Sequence, residues 1–284
     1  MTKADFYQII ANADDFGRHA YINRAVQEAF AKGCLKSATI MPGGKAFADA
    51  IEIVKNNPGL GLGIHLTLVN GYPILPPAEI PSLVNKEGFF LDDYMQFVKR
   101  FFAGKIKLAE VQRELTAQVD KVMATGVSPS HIDSHQHLHT LPGIIDIALE
   151  LAKGAHISAV RIPQTPLFTG FTGNPVQLGG RLGLYTMATL ARRKAKAQGF
   201  RCPEHFAGIV AGEAVSTKHL LDIIQGLKPG TTEIMVHPGT DNKILQGACQ
   251  WNHDFEAELA ALTNLQILEL LAQKHVKIGN YTNL

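Results

Sequence analysis

Short apolar runs alternate with stretches of helical periodicity along most of this chain. That alternation confines it to parallel β-α units, since a helix between two strands carries the second back parallel to the first. Residues 7–11 form the first run, which breaks into a polar loop, Asn12-Ala13-Asp14-Asp15-Phe16-Gly17. Ile22, Ala25, Val26, Ala29 and Phe30 then recur at helical spacing. The unit repeats as a strand over 37–41 ended by Pro42-Gly43-Gly44, a helix over 46–54, and a strand over 61–69 carrying His65. Pro73-Ile74-Leu75-Pro76-Pro77 interrupts the rhythm, and 70–104 reads as an inserted lobe. Beyond it come a helix over 108–125, a strand over 130–137, a helix over 142–153 and a strand over 159–163. Residues 165–199 are Gly-rich and read as irregular before a helix ending in Arg192-Arg193-Lys194, giving an irregular insert at 165–205. A helix over 218–227, a strand over 233–237, one long Leu-rich helix over 255–273 and a strand over 276–279 complete the chain.

A parallel barrel of this type runs to roughly 250 residues as one unit. The 284 residues are therefore read as a single domain, 1–284, of α/β class. A net charge of +2 with 18% charged residues offers nothing to nucleic acid and points to a small-molecule partner. Cys34, Cys202 and Cys249 form no Cys-x-x-Cys pair, so neither a disulfide framework nor a thiolate zinc knot is expected, and a reducing cytoplasm fits best. No window reaches the ~18 apolar residues of a membrane span, so a transmembrane protein is not expected.

Ionisable groups are densest in His131-Ile132-Asp133-Ser134-His135-Gln136-His137-Leu138-His139, which holds four of the 12 histidines. On a strand, alternate side chains share a face, so His131, Asp133, His135 and His137 would line one surface. Barrel sites lie at the C-terminal ends of the strands, and Asp14 with Asp15, His65, His135, Arg161 and His237 each end a separate expected strand. Two adjacent carboxylates cannot share a strand face, so one is open to binding metal and the other to acting as base; helix capping is the plainer use of an Asp at that place. His65 alone would read as a core histidine, but with Asp15 and His135 it reads as a ligand. His135 is the first choice of ligand in its strand, with His131 deeper, His137 nearer the loop, and Asp133 a carboxylate that orients an imidazole.

An Asp with two His leaves coordination positions open, as a catalytic metal requires. Ligand softness favours zinc or a similar ion, Mg²⁺ preferring more oxygen. His237 either protonates a leaving group or is structural, and Arg161 either orients a carboxylate or substrate oxygen or forms a surface ion pair. The basic run 192–196 reads as a solvated helix face, with an anionic lipid or phosphate as the other use. Ser134 lacks the Gly-x-Ser-x-Gly setting of a serine nucleophile.

With Asn-Ala-Asp-Asp-Phe-Gly at 12–17, Gly-Ile-His-Leu-Thr-Leu at 63–68, His-Ile-Asp-Ser-His-Gln-His at 131–137 and Val-His-Pro-Gly at 236–239, the chain resembles the YdjC-like carbohydrate deacetylases. The motifs stand in family order and span nearly the whole length. The resemblance implies a distorted (β/α) barrel of the glycoside hydrolase/deacetylase type and one divalent ion, Mg²⁺. It implies removal of an N-acetyl group from an amino sugar, with release of acetate. Position by position it makes Asp15, His65 and His135 metal ligands, Asp14 the catalytic base and His237 the acid. His131, Asp133, His137 and Arg161 remain as supporting or substrate-contacting residues.

The segment 73–81 and the insert after it look closer to the hopanoid-biosynthesis-associated branch than to the chitooligosaccharide branch, which would make the substrate a glycolipid, with peripheral membrane contact. A homo-oligomer, a dimer, is the expected assembly. A metal-dependent phosphoesterase or cyclic-amide hydrolase on a similar barrel, and a non-catalytic sugar-binding protein, are the other readings.

Overall fold

The computed structural model describes residues 6–164, 175–209 and 214–284. Its elements follow the order β1 (Tyr7–Phe16), α1 (Ala20–Lys32), β2 (Leu35–Ile40), α2 (Phe47–Asn56), β3 (Gly61–Leu66), α3 (Tyr94–Phe102), α4 (Leu108–Met123) and β4 (His131–Ser134). They continue with α5 (Ile144–Gly154), β5 (Ala159–Val160), α6 (Pro175–Ala197), β6 (His205–Ala207), α7 (Thr217–Gln225) and β7 (Gly230–Val236). Then come α8 (Asn242–Cys249), α9 (Phe255–Leu262), α10 (Leu265–Gln273) and β8 (Lys277–Ile278).

All strand pairs are parallel, in the order β5-β4-β3-β2-β1-β7-β6. β2 first pairs with β1 at Ala11, and β8 fills the place below it beside Gln8 and Ile9. The sheet curls until its ends approach: Val160 N–H donates to the Arg201 carbonyl at 3.0 Å, just upstream of β6. The result is a distorted, incompletely closed (β/α) barrel. Every residue of β3 is buried, as are all but the first of β1, because helices cover the outer face and side chains fill the interior. Ile9, Ala11, Ala13, Leu35, Ile64 and Ile132 belong to that core.

Four departures from the expected elements bear on the site. The polar loop at 12–17 is instead the end of β1, whose pairing with β2 shifts register between Ala13 and Phe16. The expected strand over 130–137 stops at Ser134, and a 3-10 turn, His135–Thr140, follows, with Gln136 and His137 at φ of 55° and 57°. The Leu-rich stretch is two helices, because the Asn264 side chain accepts the Gln266 N–H and caps a new start. Residues 175–197 of the stretch expected to be irregular form one helix, α6; 165–174 lie outside the described residues. Two members of its basic run are used internally, Lys194 on Asp146 at 2.6 Å and Arg192 on the Pro203 carbonyl at 3.0 Å.

The lobe at 70–104 is tied to the barrel by polar side chains of α4. Glu114 accepts from the Ile74 and Leu75 amides at 2.9 and 3.0 Å, Glu110 accepts from the Ser82 amide at 2.7 Å, and Gln118 bonds both the amide and the carbonyl of Thr67. Glutamates on a helix ordinarily face water; these are buried because the lobe's backbone N–H groups need acceptors. Among the described residues no helix is long and apolar enough to cross a membrane.

Candidate active site

The side chains that end β1, β3, β4, β5 and β7 converge inside the curled sheet. The centre is Arg161, fully buried just past β5, whose Nη1 and Nη2 each lie 2.6 Å from an Asp14 oxygen. Nη1 is also 2.6 Å from Asp133 Oδ2, and Nε donates to Glu233 Oε1 at 2.7 Å. Burial works against charge on the guanidinium, but the three carboxylates hold its pKa well above the ordinary value. The same contacts act in reverse: burial pushes Asp14 and Asp133 up, and Arg161 more than offsets it, leaving both lowered. Asn12 Nδ2 supplies a further bond to Asp14 at 2.9 Å. Glu233 keeps a pKa raised to about 7, because burial outweighs its share of Arg161.

Asp15 faces the same interior as Asp14, which strict alternation along a strand forbids. The register shift and a φ of 60° at Asp15 break the alternation and turn both carboxylates inward. Asp15 Oδ1 lies 2.9 Å from His135 Nδ1 and 3.4 Å from His65 Nε2, while Oδ2 accepts from Arg18 at 2.8 Å. On its other side His65 places Nδ1 2.7 Å from Asp133 Oδ1. With Nδ1 as the donor, Nε2 presents a lone pair toward Asp15, the arrangement by which a carboxylate orients a metal-binding imidazole.

Asp15 Oδ1 and His65 Nε2 are buried without a well-directed hydrogen bond. Together with His135 these ligand atoms lie within 4.8 Å of one another, so the donor set fits one divalent cation and leaves positions open. Burial disfavours the His65 imidazolium, yet Asp133 and Asp14 hold its pKa up at about 10, so a cation competes with that proton.

His237, just past β7, brings Nε2 to 4.0 Å from Asp14 Oδ2. Burial lowers its pKa against the pull of Asp14, Glu258 and Asp15, leaving a neutral imidazole at neutral pH. Trp251 meets its ring edge-on at 5.0 Å and stacks on His253 at 3.9 Å. Glu258 anchors this wall: it accepts the His237 and Val215 amides, the latter at 2.8 Å, and lies 3.1 Å from His253 Nε2. Asp14, His65, Tyr94, His135, His137, His237 and Trp251 border a cavity of about 440 Å³.

Asp14, Asp15, His65, Asp133, His135, Arg161 and His237 are thus brought together, and His137 reaches the cavity wall. His131 is not part of the site. It lies at the start of β4, stacked on Tyr281 at 3.6 Å, and a Cβ on Gly63 would come within 2.4 Å of its ring, which is why that position is glycine. His139 is also structural, bonded to Ser134 Oγ at 2.7 Å and the Arg161 carbonyl at 2.9 Å. The expectation that His131, Asp133, His135 and His137 share one face fails because the strand ends at Ser134. Glu233, Trp251, His253 and Glu258 escape the sequence reading. Only Glu233 carries a local signal, being the one ionisable residue of β7 and at alternate spacing with His237 just past its end.

A carbohydrate deacetylase of Enterococcus faecalis is 30% identical to this chain over 284 residues, covering 98% of each. One from Thermoanaerobacter pseudethanolicus is 28% identical over 277 residues, covering 96% of this chain and 98% of its own. A solved Enterococcus faecalis structure, described as a candidate cellobiose-phosphate cleavage protein, superposes with a TM-score of 0.75 at 28% identity over 98% of both chains. Residues 8–273 match the profile of the YdjC-like proteins, and with it nearly the whole barrel and all the residues gathered at its mouth. The chain belongs to the YdjC-like family.

Proposed function

We propose that this protein is a divalent-metal-dependent hydrolase that removes the N-acetyl group from an amino sugar, carried on an oligosaccharide or a glycolipid, and releases acetate. The observation that carries the reading is the union, in one cavity, of a cation-fitting set, Asp15, His65 and His135, with a separate carboxylate, Asp14, 4.0 Å from an imidazole. Relatives covering nearly the full chain are carbohydrate deacetylases.

A bound cation supplies charge that polarises the acetamide carbonyl and acidifies water. Asp14, kept ionised by Arg161, accepts the proton of the attacking water at Oδ2. His237, neutral at rest with Nε2 4.0 Å from Oδ2 in the free protein, takes that proton when the two come within hydrogen-bond reach and delivers it to the departing amine. The water oxygen ends on acetate; one of its protons ends on the amino sugar, and the other leaves when the acetic acid formed ionises. Tyr94 and Trp251 line the cavity beside these groups.

Two imidazoles suit zinc by softness, whereas the family resemblance favours Mg²⁺. A two-ion phosphoesterase would need a second ligand set. Among the described residues two other groups come close: Asp14, His65 and Asp133, whose carboxylates are both held by Arg161, and His237, His253 and Glu258, whose carboxylate already serves two backbone amides and His253. The whole chain acts as one catalytic domain in this reading. Three free cysteines, two of them buried, are consistent with a reducing cytoplasm. Acetate release from N-acetylated chitooligosaccharides should vanish after chelation and return on addition of one equivalent of Mg²⁺ or Zn²⁺. Undiminished turnover by metal-free protein overturns the proposal.

A further inference from the structure

α3 and the turn that leads from it into α4 combine charge of one sign with apolar side chains left open to solvent. Residues 94–109 hold Lys99, Arg100, Lys105 and Lys107 and no acidic residue. Phe97 is fully buried and anchors the inner side of α3, with Phe101 stacked beside it at 6.5 Å. Met95, Lys99 and Phe102, at spacings of four and three, share the opposite stripe of the helix. Met95 is 50% and Phe102 65% exposed on it, and Leu108, the first residue of α4, is 41% exposed. Lys99 and Lys105 are exposed as well, whereas Arg100 is turned inward onto the Ser82 carbonyl at 3.0 Å.

Exposed apolar side chains grouped among bases mark a contact surface, and their chemistry selects the partner. A second copy of this chain, packed stripe to stripe about a two-fold axis, would set Lys99 and Lys105 against their own counterparts. An acidic, polar protein surface would answer the lysines but leave Met95, Phe102 and Leu108 against charge. An anionic bilayer answers both: its interface takes up apolar and aromatic side chains, and its phosphates attract lysines lying along it. The surface is also preformed, since Arg100, Glu110 and the Lys107 amide all bond Ser82 and fix the turn against the lobe.

We propose that α3 and the turn at 103–107 dock this protein on an anionic lipid bilayer, with Met95, Phe102 and Leu108 entering the interface and Lys99 and Lys105 meeting lipid phosphates. Tyr94, the first residue of α3, borders the reacting cavity, about 12 Å along the helix from Phe102. Docking therefore brings that cavity close to the bilayer. The consequence for the substrate rests on the deacetylase reading: the amino sugar is carried on a lipid and is deacetylated at the membrane surface.

The test is sedimentation of the full chain with vesicles of phosphatidylcholine alone and of phosphatidylcholine with about one-third phosphatidylglycerol. The anionic vesicles should be bound at least about tenfold more tightly, and less tightly as salt is raised. Phe102→Ser should weaken that binding by roughly tenfold, and Lys99→Gln combined with Lys105→Gln by roughly ten- to thirtyfold. Phe102→Trp, which keeps an interfacial aromatic ring, should retain it. These side chains are exposed, so Tm and acetate release from a soluble N-acetylated sugar should be unchanged in every variant. Equal binding to the two kinds of vesicle, binding that survives both sets of substitutions, or a dimer in solution that Phe102→Ser dissociates overturns the docking. Acetate release without vesicle binding overturns the docking alone; vesicle binding without acetate release from any N-acetylated sugar supports the docking and overturns the deacetylase reading.

Discussion

Asp14 and Asp15 are chemically identical neighbours with different surroundings. Asp14 is held at both oxygens by Arg161, so its charge is kept and its position set; Asp15 points one oxygen at two imidazoles and anchors the other on Arg18. Asp14→Asn keeps the shape and removes the basic oxygen. It should lower kcat by about 10²–10⁴-fold, the range for loss of an acid-base group, with metal still bound at one ion per chain. Asp15→Asn should lose the metal itself, read by elemental analysis after dialysis. If Asp14→Asn strips the metal while Asp15→Asn retains it, the two roles are exchanged. The resemblance assigned these roles by motif position, while residue type alone left them open. The contacts of the two residues differ, and the two substitutions test whether the roles differ in the same way.

At the scale of elements, the lobe and the β4 turn illustrate different limits of periodicity. The lobe at 70–104 was readable as an interruption of the β-α rhythm, but nothing in the α4 sequence marked Glu110, Glu114 and Gln118 as buried acceptors. Their role depends on backbone amides some 28 to 51 residues away. Glu114→Ala should leave the Ile74 and Leu75 amides unsatisfied and lower stability by about 1–3 kcal/mol. Limited proteolysis should then cut first within 70–104, giving a smaller fragment with β1–β3 and a larger one with β4–β8. Cleavage elsewhere first would show that Glu114 is not what secures the lobe. The β4 turn was misread for a related reason: alternating polar residues continue past Ser134, although two left-handed residues have already ended the strand.

For the whole molecule, the buried histidines set the response to acid. Burial, the largest cause, holds His131 and His137 at about 3 and His139 at about 4, against 6.5 when unfolded. Between those values the unfolded chain binds the extra protons, so stability falls as pH drops below 6.5. Glu233 acts oppositely between 4.5 and about 7, where the folded state holds the proton. These four groups leave the unfolded chain a net excess of two protons between pH 4.5 and 6.5, and His237, also lowered by burial, adds to it, so the slope should be about 3 kcal/mol per pH unit or steeper. His131→Phe keeps the ring stacked on Tyr281 and removes one of those protons, so the slope should become shallower by about 1 kcal/mol per pH unit. Urea midpoints measured across that window check it, and an unchanged slope would refute the assignment.

From sequence alone came the parallel β-α class, the strand ends as the place of the site, and Asp14, Asp15, His65, His135, Arg161 and His237 as its members. Each of those is a property of one segment, an apolar run closed by a polar residue, and so is legible locally. Only the tertiary structure decided that His131 stacks on Tyr281 away from the site while His135 faces Asp15, that a bulge turns both aspartates inward, and that Glu233 and Glu258 brace the machinery. Depth along a strand, backbone sign at a bulge and contact across a curled sheet arise from how segments pack, and the spacing of residues within one segment carries no record of them.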